Sequence, residues 1–165
     1  LPNNKNIIMA AEQAIPISTR KVIVLHTRTI PQGITAMLNF DPDTDNEANA
    51  IEMQKAAEKI ATGQITFAAR DSEFDGHSIK KGELMALLGG KITFVDTDLE
   101  KTVMKLLKQM IKRDSQFVTV IYGEDVTEEQ AAAIEEQIQA KYGSKTEITV
   151  INGGQPIYYY IISVE

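Results

Sequence analysis

The first sixty residues alternate between helical and strand-like patterns of hydrophobic positions. The run Lys21-Val22-Ile23-Val24-Leu25 is typical of a buried strand. A third helix is predicted over residues 47–61, closed by Thr62-Gly63. This βαβ alternation predicts a parallel sheet. The helices flanking the strand carry apolar positions at helical spacing, namely Ile7, Ile8, Ala11, Ala14 and Ile15 before it, and Ile34, Met37 and Leu38 after it.

The pattern changes to a period of two at Gln64, where apolar Ile65, Phe67 and Ala69 alternate with other residues. Gly89-Gly90 predicts a hairpin between strands over residues 82–87 and 91–95. Further strands are predicted over residues 116–122, 145–151 and 157–164. The second part of the chain is therefore expected to hold a largely antiparallel sheet.

Two capping boxes mark helices in this second part. Thr97 with Glu100 predicts the start of a long helix that runs through Arg113, and Thr127 with Gln130 predicts the start of another. Gly143 is the expected stop of the second helix. The whole pattern indicates a partial parallel α/β lobe over residues 1–62 and a smaller, mixed or antiparallel α+β lobe over residues 63–165. Because Leu1-Pro2 reads as the end of a buried strand, we expect the sequence to be part of a longer protein, with the start of the first lobe outside it.

Composition narrows the class of protein. The 165 residues are 43% hydrophobic and 24% charged, ordinary values for a globular chain. The net charge of -6 argues against general nucleic-acid binding, and the longest apolar run is too short for membrane insertion. The lack of cysteine excludes disulfides and thiolate catalysis, and a cytoplasmic location is expected.

Several kinds of chemistry find no support in the motifs. Gly90-Lys91 lacks the upstream glycine and the following Ser or Thr of a P-loop. The acidic series after Phe40 resembles a calcium loop, but Asn46 stands where such a loop requires glycine. Two histidines, His26 and His77, show no zinc-ligand spacing, and no serine lies in a nucleophile elbow. We predict neither a catalytic residue nor a metal site.

Two predicted turns at the carboxyl ends of strands are candidate binding elements, because helix N-termini there offer free backbone N–H groups. The first contains Asn3, Asn4, Lys5 and Asn6, and the second contains Arg28, Thr29, Gln32 and Gly33. The alternative is that these residues only cap helices. A lysine stripe and a polar turn have similar alternatives, a solvated helix face and a plain hairpin connection. The stripe is Lys101, Lys105, Lys108 and Lys112, and the turn is Gly153-Gly154-Gln155-Pro156.

Taken together, three segments carry a family resemblance. Pro2-Asn3-Asn4-Lys5-Asn6-Ile7, Thr29-Ile30-Pro31-Gln32-Gly33 and Gly153-Gly154-Gln155-Pro156-Ile157-Tyr158-Tyr159-Tyr160 resemble the C-terminal domain of the ATP-binding subunit of bacterial fatty acid kinase. This family, FakA, is also described as dihydroxyacetone-kinase-like. The resemblance extends over the whole chain. It implies an α/β, DegV-like two-lobed fold.

The resemblance also implies a division of labour. ATP and magnesium would be bound by a kinase domain outside these residues, so no cofactor is expected here. A separate DegV-type protein would carry the fatty acid whose carboxylate is phosphorylated. In carriers of this fold Ser and Thr at helix starts hold that carboxylate, whereas the first turn here reads Asn3-Asn4-Lys5-Asn6. This departure argues against acyl binding.

We therefore expect a non-catalytic domain that docks the DegV-type carrier. The alternatives are a sensor of an anion, nucleotide or acyl ligand, and a homodimerisation module that uses a sheet edge or the tyrosines at 158–160. Residues expected at a surface between the lobes are Asn3, Asn4, Asn6, Thr29, Gln32, Gly33, Gly153, Gly154 and Gln155, with Arg28 and Arg70 as charge contacts.

Overall fold

The computed structural model describes residues 1–74 and 76–165, apart from the side chain of His77. The chain divides into two compact units, Leu1–Ile60 and Ala61–Glu165. The predicted closing turn Thr62-Gly63 is wrong, because the third helix ends at Glu58 and both residues lie in a strand that begins at Ala61. The second unit is the longer of the two.

Three α-helices form the first unit: α1 (Lys5–Gln13), α2 (Ile30–Leu38) and α3 (Asn46–Glu58), with a short 3-10 helix at Ile15–Ile17. Each α-helix begins at a side-chain cap. The Asn4 carboxamide oxygen accepts from the Ile7 N–H at 3.0 Å, and Asp45 accepts from the N–H groups of Glu47 and Ala48. Thr29 caps α2, as predicted.

The acidic loop before α3 has a structural explanation. The Asp41 carboxylate accepts from the Thr44 hydroxyl at 2.7 Å and from the Asp43 N–H at 2.9 Å. These hydrogen bonds lower the pKa of Asp41, the Thr44 bond contributing most. Asp45 is the cap of α3. The series therefore orders a turn and starts a helix.

The predicted strand over residues 21–25 is wrong for the described residues. Residues 21–28 are not part of any strand, and they make no backbone–backbone hydrogen bond within the described chain. Two of their N–H groups donate to side chains instead, His26 to Gln54 and Arg28 to Gln32, each at 2.9 Å. A strand requires a paired neighbour, and the described residues of this unit contain no second strand.

The core of the first unit is small. It consists of Leu25, Ala36, Met53 and Ala57, with Ala50 packed against them. The predicted core face of α3 is confirmed. The predicted core faces of α1 and α2 are largely wrong, because hydrophobic spacing shows which residues share a face but not how much of that face a neighbour covers. Ile8 is buried, whereas the exposed members are Ile7, Ile15, Ile34, Met37 and Leu38.

The second unit is built on a six-stranded sheet. Its strands are β1 (Ala61–Phe67), β4 (Leu84–Leu88), β5 (Lys91–Asp96), β6 (Phe117–Tyr122), β7 (Glu147–Asn152) and β8 (Tyr158–Val164). The order is β5-β4-β1-β8-β6-β7, and every pair is antiparallel except β6 with β7. The predicted hairpin at Gly89-Gly90 is confirmed. A small separate hairpin joins β2 (Ser72–Phe74) to β3 (His77–Ile79).

Two helices complete the second unit, α4 (Leu99–Met110) and α5 (Glu128–Tyr142). The capping box of Thr127 and Gln130 is confirmed. The predicted Thr97 cap is wrong, because Asp98 accepts from the Lys101 N–H at 3.0 Å and α4 ends at Met110. The core between helices and sheet is fully buried and includes Val103, Leu106, Leu107, Ile134, Ile138, Tyr160 and Ile162.

Within the described residues, no helix has both the length and the apolar character that crossing a membrane would demand.

Candidate functional site

The two predicted turns of the first unit lie side by side. The buried hydroxyl of Thr27, just before the second turn, donates to the Pro2 carbonyl, just before the first, at 2.6 Å. Asn3 and Thr29 contribute to one surface as a result. The N-termini of α1 and α2 are therefore neighbours, as predicted, although no sheet joins them in the described residues.

A groove of about 630 Å³ opens beside these two turns. This volume is within the range of small-molecule sites, roughly 300–1,000 Å³. Its large apolar side chains are about half exposed, and Leu38 is exposed to 80%. We call it the apolar groove; it is lined by Leu1, Pro2, Asn3, Ile7, Thr29, Ile30, Gly33, Ile34, Met37 and Leu38.

The polar groups at the apolar groove are already engaged in local structure. The Asn4 amide donates to the Asn3 side-chain oxygen at 3.0 Å while its own oxygen caps α1. The Thr29 hydroxyl oxygen accepts from the Gln32 N–H. No charged side chain among the described residues lines this groove, so the arrangement suits an apolar contact far better than recognition of an anion. Asn6 lies exposed on α1.

Arg28 and Gln32 do not face the apolar groove. They line a separate cleft of about 740 Å³ in the same unit, together with His26, Lys55 and Glu58. His26 contacts the Glu12 carboxylate at 2.9 Å. The cleft carries charges of both signs, which gives it no strong preference for an anionic ligand.

The predicted turn at residues 153–156 belongs to the second unit and is not a hairpin connection. β7 and β8 lie on opposite sides of β6, so the loop crosses the end of that strand. The Gln155 amide donates to the carbonyls of Ile121 and Tyr158, at 3.0 and 3.3 Å. Gly154 has a φ of +58°, a conformation that favours glycine. The loop is therefore a rigid element rather than a simple turn.

Ile157 follows this loop in a strained conformation that sequence reasoning missed. Its φ is +73°, exceptional for a β-branched residue, and the Tyr158 N–H donates to the Pro156 carbonyl at 2.8 Å, which closes a γ-turn around it. The Thr66 hydroxyl donates to the Ile157 carbonyl at 2.8 Å. The side chain is 59% exposed. No local sequence signal marks this position, because a residue 91 positions away supplies the restraint.

Replacing Ile157 with glycine is expected to raise the free energy of unfolding by about 1 kcal/mol. Relief of strain of roughly 1–3 kcal/mol outweighs the entropic cost of glycine, about 0.5–1 kcal/mol. Urea unfolding followed by circular dichroism measures the change. Ile151→Gly is the matched control, since Ile151 is also exposed but lies in β7, and it should lower stability. A loss of stability in both variants would contradict the strain.

The remaining candidates lie on exposed surface. Arg70 is exposed after β1 in the second unit. In the lysine stripe, Lys101 pairs with Asp98 at 3.1 Å, and the Lys105 ammonium lies 4.1 Å from the centre of the Phe94 ring. Contacts within the domain thus engage two of the four lysines. This supports the solvated-face alternative.

Comparison with solved structures defines the class of fold. A DegV family protein from Thermus thermophilus, described for its fatty acid binding, aligns with a TM-score of 0.57 at 12% identity, over 96% of this chain and 66% of that one. A DegV family protein from Ruminococcus gnavus, described with vaccenic acid, aligns with a TM-score of 0.55 at 9% identity, over 96% and 65%. The predicted DegV-like α/β fold is confirmed.

Sequence comparison then gives the family. The model of the FakA-like C-terminal family of fatty acid kinases matches residues 1–165, and the chain belongs to this family. Protein YloV of Bacillus subtilis is 42% identical over 165 residues, and an uncharacterised protein of Staphylococcus aureus strain USA300 is 42% identical over 169. The chain spans 30% of the length of each of these relatives.

Proposed function

We propose that this domain docks its parent protein onto a DegV-type fatty-acid carrier, so that the carrier's acyl carboxylate reaches a kinase domain elsewhere in the parent. The observation that carries the proposal is the apolar groove. Contiguous apolar surface left exposed on a folded domain is typical of a binding site, because its burial gains free energy. The uncharged lining of the groove among the described residues favours an apolar contact on the partner.

The identity of the partner rests on family membership. The chain belongs to a family of fatty acid kinase proteins, and the solved relatives of its fold are described with fatty acids. In this role the domain contributes proximity: holding carrier and kinase together converts a bimolecular encounter into an intramolecular one. ATP and magnesium would act on the kinase domain, and this domain would supply no reacting group.

A second candidate function uses the same groove as the acyl site itself. Its volume and apolar lining favour a short apolar chain. Engagement of Asn4 and Thr29 in helix caps counts against it, because these groups are the ones nearest to hold a carboxylate. An acyl sensor of this kind would bind free fatty acid without the carrier.

Homodimerisation through the tyrosines at 158–160 is not supported. β8 is an interior strand paired with β1 and β6, and Tyr160 is buried. These tyrosines therefore do not lie at a sheet edge, which is the feature that strand-mediated dimerisation requires. The sheet edges are β5 and β7 instead.

Substituting glutamate for Met37 is expected to weaken carrier binding at least tenfold. A carboxylate placed in the apolar groove must be desolvated when the partner docks. Calorimetric titration of the full-length protein with the fatty-acid-loaded DegV-type protein of the same organism measures the affinity. Ile17→Glu is the matched control, because Ile17 is equally apolar and exposed in the same unit but lies outside the groove.

Two further arms of this titration separate the alternatives. Equal affinity of Met37→Glu and wild type, or no binding by wild type, would contradict docking through the groove. Saturable binding of free fatty acid that Met37→Glu abolishes would favour the acyl-site function. Arg28→Glu tests the neighbouring cleft, and unchanged affinity would remove Arg28 from the docking surface.

A further inference from the structure

The second unit contains a small pocket at the N-terminal turns of α4 and α5. Its volume is about 310 Å³, near the lower limit for small-molecule sites. We call it the helix-turn pocket; it is lined by Asp98, Leu99, Glu100, Gln130, Ile134 and Tyr160. It lies entirely within one compact unit and shares no residue with the apolar groove.

Tyr160 gives the pocket an unsatisfied hydroxyl. Its residue exposure is 0%, yet its hydroxyl has no hydrogen-bond partner among the described residues. A buried hydroxyl without a partner is costly, and native proteins rarely keep one unless water or a ligand satisfies it. Burial raises the pKa of Tyr160 to about 12, with Glu100 and Tyr122 adding to the effect. At neutral pH the group is therefore a protonated hydroxyl, which donates one hydrogen bond and accepts others.

Glu100 gives the pocket a negative charge. One of its carboxylate oxygens accepts from the Gln137 amide at 2.8 Å, and among the described residues it forms no ion pair. Asp98, in contrast, is paired with Lys101 at 3.1 Å. The influence of Glu100 on the Tyr160 pKa shows that the carboxylate and the hydroxyl are close enough to interact. A water molecule could satisfy the hydroxyl but would leave the charge uncompensated.

We propose that the helix-turn pocket binds the primary ammonium group of a small molecule, whose charge Glu100 neutralises and one of whose N–H groups donates to the Tyr160 hydroxyl oxygen. A primary ammonium has three N–H donors and a compact positive charge, which matches a carboxylate beside a hydroxyl. An anion is disfavoured because two carboxylates line the pocket. The described residues contain no group of three His, Cys, Asp or Glu side chains that could hold a metal ion.

The test is thermal unfolding of the full-length protein with butylammonium at constant ionic strength, with tetramethylammonium as the comparison cation. Both carry one positive charge, but only butylammonium has N–H groups to donate. We expect the melting temperature to rise saturably with butylammonium and not with tetramethylammonium, since a ligand bound only to the folded state stabilises it.

Variants locate the binding. Glu100→Gln removes the charge at an exposed position and should weaken the apparent affinity at least tenfold. Tyr160→Phe should weaken it similarly, whereas Tyr142→Phe should not, because the Tyr142 hydroxyl is also buried without a partner among the described residues but lies outside the pocket. Equal shifts with both cations, no saturable shift in the wild type, or unchanged affinity in Glu100→Gln would overturn the proposal.

Discussion

Replacing Gly123 with alanine is expected to lower the free energy of unfolding by about 3 kcal/mol, at the upper end of what overpacking costs. An added Cβ would lie 2.3 Å from the Tyr158 carbonyl oxygen and 2.5 Å from that of Gln155. Both are backbone atoms. The rigid loop that packs on Gly123 would have to move, since no side-chain rotation can relieve the contact. Chemical denaturation followed by circular dichroism measures the loss.

Gly63→Ala is the matched control for this prediction. Its added Cβ would lie 2.5 Å from the Met110 sulfur and 2.9 Å from the Leu106 Cδ2 atom, and both belong to flexible side chains. Rotation of Met110 relieves much of the contact, so the expected cost is only about 1 kcal/mol. An equal or larger loss for Gly63→Ala would show that the backbone contact at Gly123 does not limit the fold.

Leu106→Ala is expected to destabilise the protein by about 4 kcal/mol, within the usual range of about 2–5 kcal/mol for a buried leucine. Leu106 is completely buried in α4, and its side chain packs in the core between that helix and the sheet. Truncation leaves a cavity that the neighbouring strands, held in register by six-stranded pairing, fill only in part. Equilibrium unfolding of the purified variant gives the value.

Leu38→Ala provides the comparison for the same chemical change. Leu38 is exposed, so its truncation should alter the free energy of unfolding by less than about 0.5 kcal/mol. The contrast tests the distribution of burial directly. Similar losses at both positions would mean that the exposed side of α2 is covered in the native protein.

Local sequence motifs predicted the second unit well. The capping box of Thr127 and Gln130 and the hairpin at Gly89-Gly90 depend on residues within a few positions of each other, so their partners are visible in the sequence. The strand at residues 21–25 failed for the opposite reason. Its apolar composition favours an extended conformation, which residues 21–28 keep in alternating burial, but a strand also needs a neighbour that local sequence does not specify.

The candidate sites show the same limit. The turns at Asn3 and Thr29 were predictable because caps are local, and their proximity followed from the expected topology. The exposure of Ile34 and Met37 was not, since helical periodicity does not reveal what covers a face. The strain at Ile157 depends on the distant Thr66, and the unsatisfied hydroxyl of Tyr160 lies near a glutamate sixty positions earlier in the chain. Only a three-dimensional structure brings such pairs together.

The interior position of β8 has a consequence for biosynthesis. Without this strand the sheet separates into two pieces, β5-β4-β1 and β6-β7, joined only through the chain. Because β8 pairs with residues about a hundred positions earlier, the main core cannot close until residues 158–164 have left the ribosome. The nascent chain must carry the apolar faces of α4 and α5 unprotected until then. Folding of the second unit is therefore a late event in synthesis, which gives chaperones a defined interval in which to act.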